Sequence, residues 1–512
     1  MTNQIYHMVT ILLAVLLLWV VAWNLRSVRT RQGLLLLASY LFYSTWGIEF
    51  LAVLITSSLI NFGLGALLRR RPMIAYLWLG IGCNLLFLGF FKYLPPILGS
   101  PWTVSWEPDF LRYVVMPVGI SFWTFQALSY LFDVYREEEI NPSLLEFCLY
   151  MAFWPTVLSG PVSRLPDMLP QFRKTPVFSR DNLSIGALRI IQGLFMKLIL
   201  AQLLGTGLTT GGGITAGFDQ MRSGWGGVDV WLLAMGFGLQ LFLDFAGYSH
   251  LVIGTARLFG IDVTENFSRP FLSATPSIFW TRWHMSLSFW IRDYVFVPLA
   301  AARRERWWPY LVFVISMTLF GLWHAAKLTF ICWGFYHGLL LVAHRLGQQA
   351  KRQFGIKPPN FIGFLLAWAA TFASISLGWI FFRANDLHEA FTMFRTVLSP
   401  AAYQHLAMPS SFYVLIPSLL VAYFAYEGLR TLLSRLQLRT VEVVSPAPPM
   451  MLRQGGLESS LTVLAAELCE FFAQRMWWWL TPVMFVLTLF ASLAISNQSS
   501  VLTVTPFMYA IF

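Results

Sequence analysis

The chain has 512 residues, 57% of them hydrophobic and only 12% charged, with a mean hydropathy of +0.63. Soluble domains carry about 25% charged residues, so a soluble fold is excluded and an all-α polytopic membrane protein is expected, since a helix satisfies its own backbone hydrogen bonds in lipid. The formal charge of +11 does not indicate nucleic acid, because Lys and Arg fall in short connectors between apolar runs, and the four scattered cysteines, Cys83, Cys148, Cys332 and Cys469, argue for neither a disulfide framework nor a metal site.

The first apolar run, Met8 to Leu25, is long for a signal-peptide core and lacks a small-residue cleavage site, so it reads as a retained span. Basic connectors follow at Arg26/Arg29/Arg31, Arg69-Arg70-Arg71, Arg164/Arg173/Lys174/Arg180, Arg303/Arg304/Arg306, Arg345/Lys351/Arg352/Lys357 and Arg430/Arg435/Arg439/Arg453/Arg475. The positive-inside rule assigns these to the cytoplasm. Pro95 to Asp109, Thr206 to Asp229 and Arg383 to Ser410 carry few basic residues and are assigned outside. That alternation puts the N-terminus outside. It predicts spans near residues 8–25, 33–47, 49–68, 73–91, 112–132, 183–204, 231–258, 309–325, 328–346, 361–382, 411–428 and 477–496, that is, about 11–12 transmembrane helices in a single domain, 1–512.

Three stretches break the pattern. Residues 143–160, with Trp154-Pro155 and Ser159-Gly160-Pro161, read as a re-entrant or broken helix, which bilayer depth tolerates only where protein or water covers it. Residues 262–300, rich in Trp and Arg, read as helices lying in or dipping into the cytoplasmic interface. Residues 383–397 suggest a short surface helix, and 441–456, with three prolines, a flexible cytoplasmic linker.

Ionisable groups at bilayer depth cost about 2.5–3.5 kcal/mol on insertion scales and are functional hypotheses by default. His324, in Gly321-Leu322-Trp323-His324, ends an apolar run. It reads equally as a histidine that bonds between helices and as a neutral base for a hydroxyl proton, burial disfavouring its charged form. On a continuous helix His284, Ser288 and Arg292 share one face; they form either an interfacial stripe or an entrance where Arg282 and Arg292 meet the phosphates of an acyl donor. Asp244 and Lys197 are charges inside spans, read first as an ion pair with one another or with Arg292 and Asp293. Asp133, Arg136 and Glu137-Glu138-Glu139 read as a solvated helix end, His337 and His344 as packing histidines, and His7 and His405 carry no signal. No GxxxxGK[ST], HExxH or GxSxG motif occurs, which argues against an ATP-driven pump, a helical zinc protease and an ordinary serine hydrolase.

Phe279-Trp-Thr-Arg-Trp-His-Met-Ser-Leu-Ser-Phe-Trp-Ile-Arg-Asp-Tyr-Val-Phe-Val-Pro298, then Gly321-Leu-Trp-His324 and Trp333-Gly-Phe-Tyr-His-Gly338, resemble the membrane-bound O-acyltransferase family, in the branch of bacterial alginate O-acetyltransferase and teichoic acid D-alanyl transfer. Met116 to Gln126, Ser159 to Arg164, Asp244 to Ser249, Glu265-Asn-Phe267 and the tail Pro506 to Phe512 agree. The resemblance implies a helical bundle with a funnel open to the outside, an essential histidine at His324 and a second at His284. The candidates for binding donor or substrate are Arg282, Trp283, Ser288, Arg292, Asp293, Asp244 and Trp323. Two departures stand out: His250 replaces the aspartate usual after Tyr-Ser, and Ala325 the glycine usual after the histidine. The expectation is acetyl transfer from acetyl-CoA, with no bound cofactor or metal, across a bacterial inner membrane. The receiver is a periplasmic partner of the SGNH-hydrolase type or the polysaccharide export machinery. D-alanyl transfer is the alternative within the family; a histidine-lined transporter or channel and an export scaffold are alternatives from other classes.

Overall fold

A computed structural model of the chain describes residues 18–443 except 26, 95–115, 137–138, 176–178, 209–212, 221–223 and 357–358, with side chains through Thr431. The described residues are helices, turns and irregular connections without a strand. Those up to Pro409 form one compact unit, and the helix Ser410–Val443 belongs to a second. Among the described residues six helices are long and apolar enough to cross a bilayer: Ile48–Arg70, Ile74–Tyr93, Arg180–Thr206, Gly227–Leu258, Phe361–Arg383 and Ser410–Thr431. Trp308–His324 is a shorter apolar helix. All fall on expected spans, as do Val28–Ser44, Ile120–Tyr135 and Leu328–Gln353. The chain is an all-α polytopic membrane protein. Most of span 8–25 and of linker 441–456, connector 95–109, span 477–496, Cys469 and the tail lie outside the described residues.

Lipid gives no hydrophobic drive between helices, so close packing through small residues has to hold them. Arg180–Leu194 meets Gly227–Leu258 this way: a Cβ on Gly193 would stand 2.5 Å from the Gly247 carbonyl oxygen, and one on Gly254 2.7 Å from that of Gly186. This approach brings Lys197 Nζ within 2.5 Å of Asp244 Oδ1, both side chains buried, and makes the expected ion pair. Asn61 and Asn84 exchange amide hydrogen bonds of 3.2 and 2.7 Å between Ile48–Arg70 and Ile74–Leu88.

Residues 143–160 form a broken helix, one of the two expected forms. Ser143 and Glu146 form a capping box, Leu144–Ala152 is helical, and a buried turn follows over 154–159. Residues 259–301 dip far into the bundle. After Gly227–Leu258 ends, an irregular stretch runs back along it: Asn266 Nδ2 donates to Ser249 Oγ at 3.2 Å, and Phe271 meets Phe242 at 5.5 Å. Pro276–Trp280 follows, then a helix from Met285 to Ala301 with a π turn at Arg292–Phe296. That helix returns antiparallel to Trp308–His324: Trp280 contacts Phe320 at 5.4 Å near one end, and Phe296 contacts Phe313 at 4.5 Å near the other. The tryptophans that suggest an interfacial belt, Trp280, Trp283 and Trp290, are buried against protein. Leu387–Leu398 is the expected short helix, with Ala390 and Met393 buried and Phe391 exposed.

Candidate active site

His324 is the last residue of Trp308–His324, and the chain leaves it extended through Ala325, at φ −156 and ψ 154. Any residue adopts that conformation, so alanine in place of glycine costs nothing there. Glycines press this helix onto Leu328–Gln353: a Cβ on Gly321 would strike the Phe330 carbonyl, one on Gly334 the Met317 carbonyl, and one on Gly338 the Val314 Cα. His324 is 3% exposed and ringed by Phe320, Trp323, Phe330, Trp333 and Phe382, at centroid distances of 4.7–6.0 Å.

Lys92, in the π turn Gly89–Tyr93, donates to the Trp323 carbonyl, lies 5.0 Å over the Trp323 ring, and reaches Ser121 Oγ at 3.4 Å. The last carbonyls of a helix lack intrahelical partners and carry partial negative charge, which a cation satisfies. Tyr93 Oη donates to the adjacent Leu322 carbonyl at 3.2 Å. Lys92 and Trp323, with Gly119 and Phe122, line a small cleft.

His284 has a left-handed backbone, φ 42, immediately before Met285–Ile291. It is buried, its ring edge-on to Phe245 at 4.7 Å and its Nδ1 3.3 Å from Asn266 Oδ1. Because His284 is not helical, the expected stripe with Ser288 and Arg292 does not form. Ser288 Oγ donates to the Trp283 carbonyl at 3.0 Å, and the Arg292 side chain is 56% exposed.

The other candidates separate into groups. Trp323 flanks His324, and Phe125 bridges it to Trp290 with ring distances of 5.4 and 4.3 Å. Trp283 packs among Phe267, Phe279 and Trp379, and half-buried Arg282 accepts Ser268 N–H on its carbonyl at 3.0 Å. Asp293 takes Arg292 at 2.6 Å and Arg164 at 2.8 Å, an ion cluster of its own, while Asp244 is held by Lys197. His250 Nδ1 lies 3.1 Å from Arg189, which also bonds Glu265. His337 is buried between Trp280 and Trp333, a packing histidine as expected. Asp133 corrects its expectation: it is 2% exposed and accepts the Tyr294 hydroxyl at 2.7 and 2.9 Å, so it is no solvated helix end. Lys92 is the residue that sequence reasoning passed over. A lone lysine in Phe90-Phe91-Lys92-Tyr93 is the same signal that singles out Lys197.

Among the described residues no three His, Cys, Asp or Glu side chains gather as metal ligands. Comparison with known families matches residues 13–384 to the membrane-bound O-acyltransferase family, a stretch that contains every candidate above. The chain belongs to that family. The O-acyltransferase is 34% identical over 422 residues to a probable alginate O-acetylase, AlgI, of Pseudomonas syringae pv. tomato, covering 80% of this chain and 78% of the relative. A peptidoglycan O-acetyltransferase of Helicobacter pylori is 30% identical over 411 residues, 74% of this chain and 76% of the relative. A teichoic acid D-alanyltransferase of Bacillus subtilis is 29% identical over 285 residues, 53% of this chain and 70% of the relative. Residues 462–512 match a family of unknown function (DUF5989), so the tail lies outside the stretch matched to the acyltransferase family.

Proposed function

We propose that this acyltransferase takes an acetyl group from acetyl-CoA at the cytosolic side of a bacterial inner membrane and delivers it, on the other side, toward O-acetylation of an exported polysaccharide. A periplasmic acetyltransferase of the SGNH-hydrolase type, or the export machinery itself, receives the group, and the N-terminus is periplasmic. The acetyl-transferring relatives, which match about three quarters of the chain or more, support acetyl over D-alanyl. The observation that carries the reading is a histidine at the end of an apolar helix, buried among aromatic rings, with Lys92 bound to the carbonyl of the residue before it.

In this reading His324 takes the proton of the acceptor hydroxyl as its oxygen attacks the thioester carbonyl. The C–O bond forms, the C–S bond breaks, and the proton passes to the departing thiolate. Ester formation from a thioester therefore consumes no ATP. Water is kept from the site by the surrounding aromatic rings. Arg282, next to His284, is assigned to the donor's phosphates.

The test is ester-linked acetate on the exported polysaccharide of a strain lacking the chain, complemented with wild type or His324→Ala at matched membrane levels. Wild type restores acetate; the variant falls by about 100-fold or more, the low end for losing a general base. Full restoration by His324→Ala overturns the catalytic role and favours a scaffold. If wild type changes D-alanyl ester instead of acetate, the donor reading is wrong.

A further inference from the structure

We infer that Asn266 is the positioning residue that fixes the tautomer of His284, putting the ring hydrogen on Nδ1 and leaving Nε2 with its lone pair for a substrate proton. This rests on the reading of His284 as part of the transfer site. Two observations carry it, a chain of hydrogen bonds and a strained backbone.

The orientation of the Asn266 amide follows from Ser286, whose hydroxyl hydrogen is left for Asn266 Oδ1 once its oxygen accepts the Val162 N–H. Its Nδ2 donates to Ser249 Oγ at 3.2 Å, and its Oδ1 accepts from Ser286 Oγ at 2.6 Å. Ser286 Oγ in turn accepts the Val162 N–H at 3.0 Å. With the amide nitrogen turned to Ser249, the atom that faces His284 Nδ1 at 3.3 Å is the amide oxygen, which only accepts. A neutral imidazole carries one N–H, so that hydrogen is on Nδ1 and Nε2 is the acceptor. His284 Nε2 is buried and has no hydrogen-bond partner among the described residues. The same asparagine also fixes the backbone. Its carbonyl accepts the Met285 N–H at 2.9 Å, and nearby the Arg282 carbonyl accepts the Ser268 N–H at 3.0 Å. Together these bonds brace His284 at φ 42, a conformation that side chains other than glycine rarely adopt and that persists only where the surroundings impose it.

The experiment uses the full chain in cells, with the initial rate of ester-linked acetate formation as readout and thermal unfolding of the purified protein as folding control. His284→Ala, Asn266→Leu, Asn266→Asp and Ser249→Ala are compared with wild type. Leucine keeps the volume of Asn266 and removes its acceptor; aspartate keeps acceptors for both His284 Nδ1–H and the Ser286 hydroxyl. Asn266→Leu is expected to lose about 100-fold or more, as when a histidine's orienting acceptor is replaced in a serine protease triad. Asn266→Asp stays within about tenfold of wild type, and Ser249→Ala, which leaves the acceptor in place, within about threefold. A purely structural asparagine predicts the opposite order, since aspartate buries a charge where leucine does not. Equal losses in Asn266→Leu and Asn266→Asp, or full activity in Asn266→Leu beside an inactive His284→Ala, overturn the inference alone. A fully active His284→Ala overturns the reading of His284 on which it rests.

Discussion

Lys197 and Asp244 sit 2.5 Å apart with both side chains almost excluded from solvent, and Asp133 takes the hydroxyl of Tyr294 in a similar setting. Low dielectric makes such groups expensive alone and tolerable together, so their partners are a condition of folding before they are a matter of chemistry. Glu146 is the case where pH reads such a bond directly. Hydrogen bonds from Arg173, with those from Ser143, outweigh partial burial and hold its carboxyl down to about 2. A depressed carboxyl stabilises the fold fully above its ordinary value and loses that contribution as pH falls through the folded one. The melting temperature of wild type should therefore exceed that of Glu146→Gln by a constant margin from pH 7 down to 4.5, a margin that narrows toward pH 2. A margin unchanged by acid would mean the bond to Arg173 adds nothing to stability. Sequence made the Lys197–Asp244 pair visible because both charges stand inside apolar runs. It hid the burial of Asp133, whose neighbours Arg136 and Glu137 to Glu139 look like a solvated end, and whose partner Tyr294 is 161 residues away.

Helices that present glycine to a neighbour's backbone leave no slack at the contact. Gly334, where Leu328–Gln353 crosses the helix that ends in His324, has the Met317 carbonyl in the position a Cβ would take. Gly347, on the same helix, has nothing within 4 Å of that position. Gly334→Ala forces backbone apart and should cost about 1–3 kcal/mol, the range for overpacking, with a fall in acetylation because the His324 helix is what must move. Gly347→Ala should gain about 0.5–1 kcal/mol through lower unfolded-state entropy. Thermal unfolding of the two purified variants checks the contrast, and equal behaviour would show that the crossing has room to adjust. Spans were legible because hydropathy and length alone define them, and even the broken element at 143–160 was marked by its Pro and Gly. The depth of 259–284 was not legible: it has no helical period, and a run of Trp and Arg has the composition of an interfacial belt whether lipid headgroups or other aromatics surround it.

Hydrogen bonds tie several of the described connectors to one another. Arg31 donates to the Phe259 carbonyl, Gln32 to that of Phe172, and Gln171 to that of Asp262, so the basic connectors near 31 and 173 meet at the stretch that follows Leu258. Arg383 reaches Asp219 at 2.6 Å and Asp229 accepts the Ala407 N–H at 3.0 Å, which joins two of the three connectors poor in Lys and Arg. Such a division is what the positive-inside rule requires of a protein with two distinct sides. Single cysteines at Lys174, Arg304 and Arg352, all exposed, test it in a chain whose own four cysteines are serine. They should react with a membrane-impermeant maleimide only after the inner membrane is opened, whereas a cysteine at exposed Gln404 should react from the periplasm. Labelling of Arg304→Cys and Gln404→Cys from one side would undo the assignment. The outcome also fixes the direction of transfer. His324 ends a helix that starts four residues after Arg304 and rises about 25 Å over 17 residues, so a cytosolic Arg304 puts His324 toward the outer side. His284 meets Phe245, whereas His324 meets Phe382, which in turn meets Phe237, so His284 lies about two turns nearer the basic end of Gly227–Leu258 than His324 does.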